Sequence, residues 1–141
     1  MKIANYAHLA LLVSLSFASS AFAEGIALIV HPSSTLSDAS KDEVKRLFLS
    51  KTDAIQGVKL KPVAQTPTQP IRVVFDEDAL GKSPSKSKAY WSRMIFTASG
   101  TPPPQKESSA EIISWVSSHP DSIGYVEVEQ VTDGVKVLKE I

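Results

Sequence analysis

Three hydroxyl-rich stretches stand where helices are about to begin: Ser33-Ser34-Thr35, Thr66 to Gln69 ahead of Pro70, and Ser99-Gly100-Thr101. Free backbone N–H groups and the positive end of a helix dipole attract anions, and short hydroxyl side chains add further donors. Loops of this kind suit an oxyanion. Ser and Thr are also ordinary cap and turn residues, so the loops alone leave both readings open. Other chemistry is thinly represented. The chain has no cysteine, which excludes disulfides and thiolate nucleophiles. It carries no P-loop, G-x-S-x-G elbow or H-E-x-x-H motif. His31 and His119 lie far apart in sequence, a poor start for a metal site. His31 with Ser33 or Ser34 is the one base–nucleophile combination, and no orienting acid accompanies it. Asp76-Glu77-Asp78 would point in different directions on a helix and read as a solvated face, while Glu127 and Glu129 read as exposed strand charges. These residues imply neither an enzyme nor a bound cofactor or metal.

The N-terminus supplies an address. Lys2, the apolar run Leu9 to Ala18 and the A-x-A signal Ala21-Phe22-Ala23 predict a secretory signal peptide over residues 1–23, cleaved after Ala23. The run is too short to span a bilayer, which takes about 20 residues. Residues 24–141 are then expected to form one domain, free in the periplasm, not inserted in the membrane and not lipidated for want of a cysteine. The 15 basic and 15 acidic side chains balance, which gives no argument for nucleic acid or for an anionic membrane surface.

The elements that position the loops follow from periodicity. Gly25 to Val30 is a buried-strand run ended by His31-Pro32. Ser40 and Glu43 form a capping box, and Val44, Leu47 and Phe48 give the helix behind it one apolar stripe. Lys59 to Ala64 reads as an edge strand because Pro62 has no N–H. Gln65 to Gln69 is a polar turn, Pro70 opens a helix buried through Ile71, Val74 and Phe75, and Gly81 closes it. Ser83-Pro84 starts another helix whose Tyr90, Trp91, Met94 and Ile95 form an apolar stripe, read as core. Pro102-Pro103-Pro104 enforce an extended segment. Ser108 and Glu111 cap a last helix, through Ile112, Ile113, Trp115 and Val116. Strands Ile123 to Val126 and Val135 to Leu138 close the chain around the turn Thr132-Asp133-Gly134. Strands alternating with helices predict an α/β fold, three-layer, with a mostly parallel mixed sheet.

The order of these pieces carries a resemblance. Ile29-Val30-His31-Pro32-Ser33-Ser34, Leu36-Ser37 and the run Ser40 to Lys51 resemble the V-x-P-S-N…S-x-x-E-x-x-x-I-F-x-G-K stretch of phosphate-type periplasmic substrate-binding proteins. Ala89 to Thr97 and Ser122-Ile123-Gly124-Tyr125-Val126 resemble the same family, the latter its S-I-G-Y-V strand. The resemblance implies a type II periplasmic binding protein-like fold, of which this chain supplies a single lobe. It also implies a non-catalytic solute-binding role related to ABC importers. The ligand would be phosphate or another small oxyanion, and the partner a membrane permease or envelope protein.

In that family an R-S-D-G-S-G-T turn grips phosphate. The matching positions here read Gln65-Thr66-Pro67-Thr68-Gln69-Pro70-Ile71, with Gln65 in place of the arginine and Pro70 removing a backbone donor. Arg72, one position beyond, is the cation available to compensate. The candidate oxyanion loops are thus Ser33, Ser34 and Thr35, and Gln65, Thr66, Thr68, Gln69 and Arg72. Such an incomplete turn implies weak or altered oxyanion binding. The alternative is a protein–protein interaction module that keeps the fold without the ligand, its open face covered by a partner or by a second copy in a homodimer.

Overall fold

Ile26–Val30 forms β1, and all five of its residues are buried. Both faces are apolar because both are covered: Ile26, Leu28 and Val30 face one hydrophobic cluster, Ala27 and Ile29 the other. The computed structural model that shows this describes residues 25–141, so the expected signal peptide lies outside the described residues.

Helix α1 (Lys41–Phe48) begins as its sequence directs, with Ser40 Oγ accepting the Glu43 N–H at 3.1 Å. The Glu43 carboxylate accepts from Gln56 Nε2 at 3.3 Å, on the small hairpin of β2 (Ala54–Ile55) and β3 (Val58–Lys59). Gln56 and Gly57 both take positive φ, 51° and 81°, at its two-residue turn. Then come β4 (Lys61–Pro62) and β5 (Ala64–Gln65), followed by α2 (Pro70–Asp78) and α3 (Pro84–Phe96). β6 (Gln105–Lys106), α4 (Ser109–Ser118) and β7 (Ser122–Glu127) follow, and a 3-10 turn over Val128–Gln130 leads to β8 (Lys136–Glu140).

The main sheet has the order β4-β7-β1-β8. The α/β class and the mixed sheet are as expected, but the parallel majority is not. β4 runs parallel to β7, whereas β1 is antiparallel to both β7 and β8. The expectation treated β7 and β8 as neighbours around a turn. In fact β1 lies between them, and the return from Val128 to Val135 passes over the face that α4 covers, packing Val128, Val131 and Val135 there. A short second ladder joins β5 and β6 in parallel.

Pro62 behaves as an edge residue. Lys61 donates its N–H to Asp121 O at 2.7 Å and Val63 to Ile123 O at 2.8 Å, so the proline falls where no inward donor is required. Gly124 of β7 has a different reason: a Cβ there would stand 2.6 Å from Ile112 Cγ2 and 3.2 Å from Val63 Cγ1. Helix α4 packs directly on that backbone. On the other face Phe75 stacks on Tyr125 with ring centroids 3.8 Å apart, and Phe48 meets Phe75 edge-on at 4.9 Å. The α3 stripe is only partly core. Tyr90 and Trp91 are buried, but Ile95 is 58% exposed.

Candidate oxyanion site

The eight candidate residues do not converge. β1 leaves the sheet at Val30, level with Ile123 of β7, whereas Gln65 is level with Tyr125 and β5 continues away from that end. Ser33–Thr35 and Thr66–Gln69 therefore sit at opposite ends of the sheet.

At the first end, Ser33 Oγ lies 2.7 Å from His31 Nδ1, and the Ser33 N–H donates to the same nitrogen at 3.1 Å. Ser34 Oγ accepts the Leu36 N–H at 3.4 Å, and Lys136 Nζ donates to the carbonyls of Ser34 and Leu36. Thr35 is exposed. These bonds close a turn on itself, the cap-and-turn role open to such residues from the start.

At the other end the arrangement is richer. Gln65 is 1% exposed, and its Nε2 donates to Ser109 Oγ at 2.8 Å and to Tyr125 O at 3.2 Å. Its own N–H donates to the Tyr125 phenol oxygen at 3.1 Å, and its carbonyl accepts Arg72 Nη1–H at 2.8 Å. Arg72 Nε–H reaches Asp76 Oδ2 at 2.9 Å, and Ser87 Oγ donates to that same oxygen at 2.9 Å. Ser109 in turn donates to the Glu127 carboxylate. A continuous polar chain thus runs from Glu127 through Ser109, Gln65 and Arg72 to Asp76 and Ser87, inside an otherwise apolar interior. Burial pushes the Tyr125 phenol well above its ordinary range, against the opposing pull of Arg72, so it stays a neutral partner.

Three expectations are corrected here. Asp76 is not on a solvated face: it is 5% exposed and paired one helical turn from Arg72. Arg72 is not a cation waiting for a ligand, because it is 8% exposed and held by a carboxylate and a carbonyl. The i, i+4 spacing of Arg72 and Asp76 was the signal for this pair. Nothing in the spacing of Ser87 or Ser109 marked them. Glu127, read as an exposed strand charge, is half-buried at the end of β7, where it accepts from Ser109, while Glu129 lies in the 3-10 turn beyond the strand. A groove of about 470 Å³ opens beside the pair, and Arg72, Asp76, Ser87, Trp91, Pro67 and Pro102 are among the residues that line it. Lys88 also lines the groove, one cation more than Arg72 and Asp76 balance.

Above the polar chain, Thr66 and Thr68 remain at the surface with their hydroxyl oxygens 3.1 Å apart, while Gln69 Nε2 ties the turn to Glu107 O at 2.6 Å. The Thr66 N–H is taken by Lys106 O at 3.0 Å and the Gln69 N–H by Thr66 O at 3.0 Å. Pro67 and Pro70 have no N–H to give. The turn can offer an anion two hydroxyls and the first-turn dipole of α2, without a guanidinium.

No protein-family model matches the sequence, and comparison with curated proteins gives no match either. Solved structures do match in shape. One is a candidate phosphate ABC transporter substrate-binding protein with bound phosphate from Clostridium perfringens, at TM-score 0.65 and 21% identity over 82% of this chain and 44% of that one. Another is an ABC-type phosphate transport receptor from Vibrio cholerae, at TM-score 0.63 and 13% identity over 82% and 46%. A third is PstS from Borrelia burgdorferi, at TM-score 0.60 and 12% identity over 82% and 46%. The chain spans under half the length of these structures. Residues 25–141 have the mixed α/β fold found in part of phosphate-type substrate-binding proteins.

Proposed function

We propose that the chain is a secreted, periplasmic, non-catalytic solute-binding-type protein that recognises small oxyanions weakly and works beside a membrane permease or another envelope protein. One observation carries this reading. The Thr66–Gln69 turn opens α2 in a fold shared with phosphate-binding components of ABC importers, and it retains paired surface hydroxyls while Arg72 is turned inward. Hydroxyls and a helix dipole hold an anion less firmly than a bidentate guanidinium does, so the affinity is low.

Calorimetry and thermal shift with phosphate and sulfate test it. Saturable binding in the millimolar range is expected, weakened by replacing Thr66 and Thr68 with Ala. Absence of both heat and any rise in melting temperature at about 10 mM anion would overturn it, because a ligand of the native state must stabilise that state.

The internal closure of Arg72 and Gln65 also favours a second reading, an interaction module that keeps the fold and has given up the ligand. Clear anion binding by a monomer that recovers no envelope partner would rule that out.

A further inference from the structure

The formal charge is zero, yet the cations are unevenly placed. Helix α3 carries Lys86, Lys88 and Arg93 and no acid. The Tyr90 hydroxyl donates to Leu49 O at 2.7 Å, which draws α3 against the end of α1. Lys82, in the connection before α3, lies with Nζ 4.7 Å from the Tyr90 ring centroid. Lys45 Nζ stands 3.9 Å from where a Cβ on Gly81 would be. Lys45, Lys51, Lys82, Lys86 and Arg93 therefore crowd one face. The ion pairs among the described residues all involve other side chains. Burial, reinforced by repulsion from Lys45, Lys51, Arg93 and Lys86, holds the Lys82 ammonium below its ordinary range.

Apolar surface adjoins these charges. Phe96 is three residues beyond Arg93, on a neighbouring strip of the helix, and is 91% exposed. A phenyl ring left in water and a group of cations without ion-pair partners each cost free energy in the isolated molecule. Both costs are relieved by one kind of surface, anionic and apolar just beneath. Four of the five cations are lysines, which act as point charges and need no fixed partner geometry. A planar fork for a carboxylate would favour arginine and an acidic protein. A diffuse sheet of phosphates suits lysines, with an aromatic ring settling at headgroup depth.

We propose that the end of α1, the α2–α3 connection and the outer side of α3 together dock peripherally on an anionic phospholipid bilayer, with Phe96 in the headgroup layer. Each lysine near such a surface tightens binding roughly fivefold at low salt. None of Lys45, Lys51, Lys82, Lys86, Arg93 and Phe96 belongs to the Thr66–Gln69 turn or lines the groove beside it, so docking and anion recognition are separable by mutation.

Vesicle co-sedimentation of the full chain tests the assignment, comparing phosphatidylglycerol-containing vesicles with pure phosphatidylcholine. The segment ahead of residue 25 is common to all variants, so differences between variants report the face. Preferential binding to the anionic vesicles is expected, weakening as salt shortens the screening length. K82E/K86E should lower that preference by at least ~20-fold and F96S by several-fold, each with a thermal melt no lower than that of the parent chain. The conservative K82R/K86R should keep it. Equal binding to both vesicle types, or a preference untouched by K82E/K86E, would overturn the proposal. So would concentration-dependent self-association that K82E/K86E abolishes without any vesicle preference, since the face would then be meeting a second copy.

Discussion

Arg72 and Asp76 sit one turn apart on α2, joined at 2.9 Å between Nε and Oδ2, with both side chains withdrawn from water. Ser87 from α3 completes the carboxylate's shell and Gln65 O the guanidinium's. A pair so enclosed is costly to break singly, because the surviving partner is left charged and buried. We expect Arg72→Met to destabilise by about 3–5 kcal/mol in denaturant unfolding. Replacing Arg72 and Asp76 together by Met and Leu should cost much less than the two single changes combined. An Arg72 held for ligand binding would give the opposite pattern: little loss of stability and a large loss of anion affinity.

Restoring an arginine at position 65 should not restore a phosphate grip. Gln65 is inside the molecule and its neighbour is already a guanidinium, so Gln65→Arg places a second positive charge beside Arg72. A loss of several kcal/mol in stability is expected, with no gain in phosphate affinity by calorimetry. Gln65→Leu should be milder, about 1–3 kcal/mol, from Ser109 and the Tyr125 carbonyl losing their donor.

Alkaline pH offers a test of the buried phenols. Burial raises the folded-state pKa of Tyr125, and of Tyr90, above the ordinary 10.0. Both residues keep their protons in the folded chain at pH values where the unfolded chain has released them. Stability is therefore intact below about pH 10 and falls as the pH rises further, by up to roughly 1.4 kcal/mol per pH unit for Tyr125, with Tyr90 acting in the same direction. Lys82 acts with the opposite sign, because its folded-state pKa is depressed below 10.5 and its penalty is relieved as the pH climbs toward that value. Melting temperature measured from pH 7 to 12 should show a decline above pH 10. Tyr125→Phe should flatten that decline, while costing about 1 kcal/mol at neutral pH for the orphaned Gln65 N–H.

Gly124→Ala addresses the contact between α4 and the sheet. A methyl group at this site would meet Ile112 at 2.6 Å, so the helix must move outward. A loss of about 1–3 kcal/mol in chemical denaturation is expected. Pairing it with Ile112→Ala should cost less than the two single changes combined, since that change removes the Cγ2 the new methyl group meets.

Much of the scaffold was legible because local rules governed it. Ser40, Ser83 and Ser108 each cap the helix they precede, Pro62 lies on an edge, and Pro70 opens α2. What escaped was set by distant residues. The position of β1 between β7 and β8 depends on pairings about a hundred residues apart, which no local pattern encodes. The fate of Gln65 was hidden for a similar reason: a polar residue in a polar turn looks exposed until β6, α4 and Tyr125 close over it. Balanced composition likewise concealed a lopsided surface, because a net charge carries no information on where the lysines gather.

Pro62 has a consequence beyond its own pairing. Among the described residues the central sheet ends on β4 at one margin and β8 at the other. The first presents a proline in place of a donor, and the second carries Lys136, Lys139 and Glu140 among its five residues. Neither margin welcomes an incoming strand from another molecule. A sheet whose central strand is wholly apolar would otherwise template aggregation. Its margins disfavour strand-by-strand self-assembly at either edge.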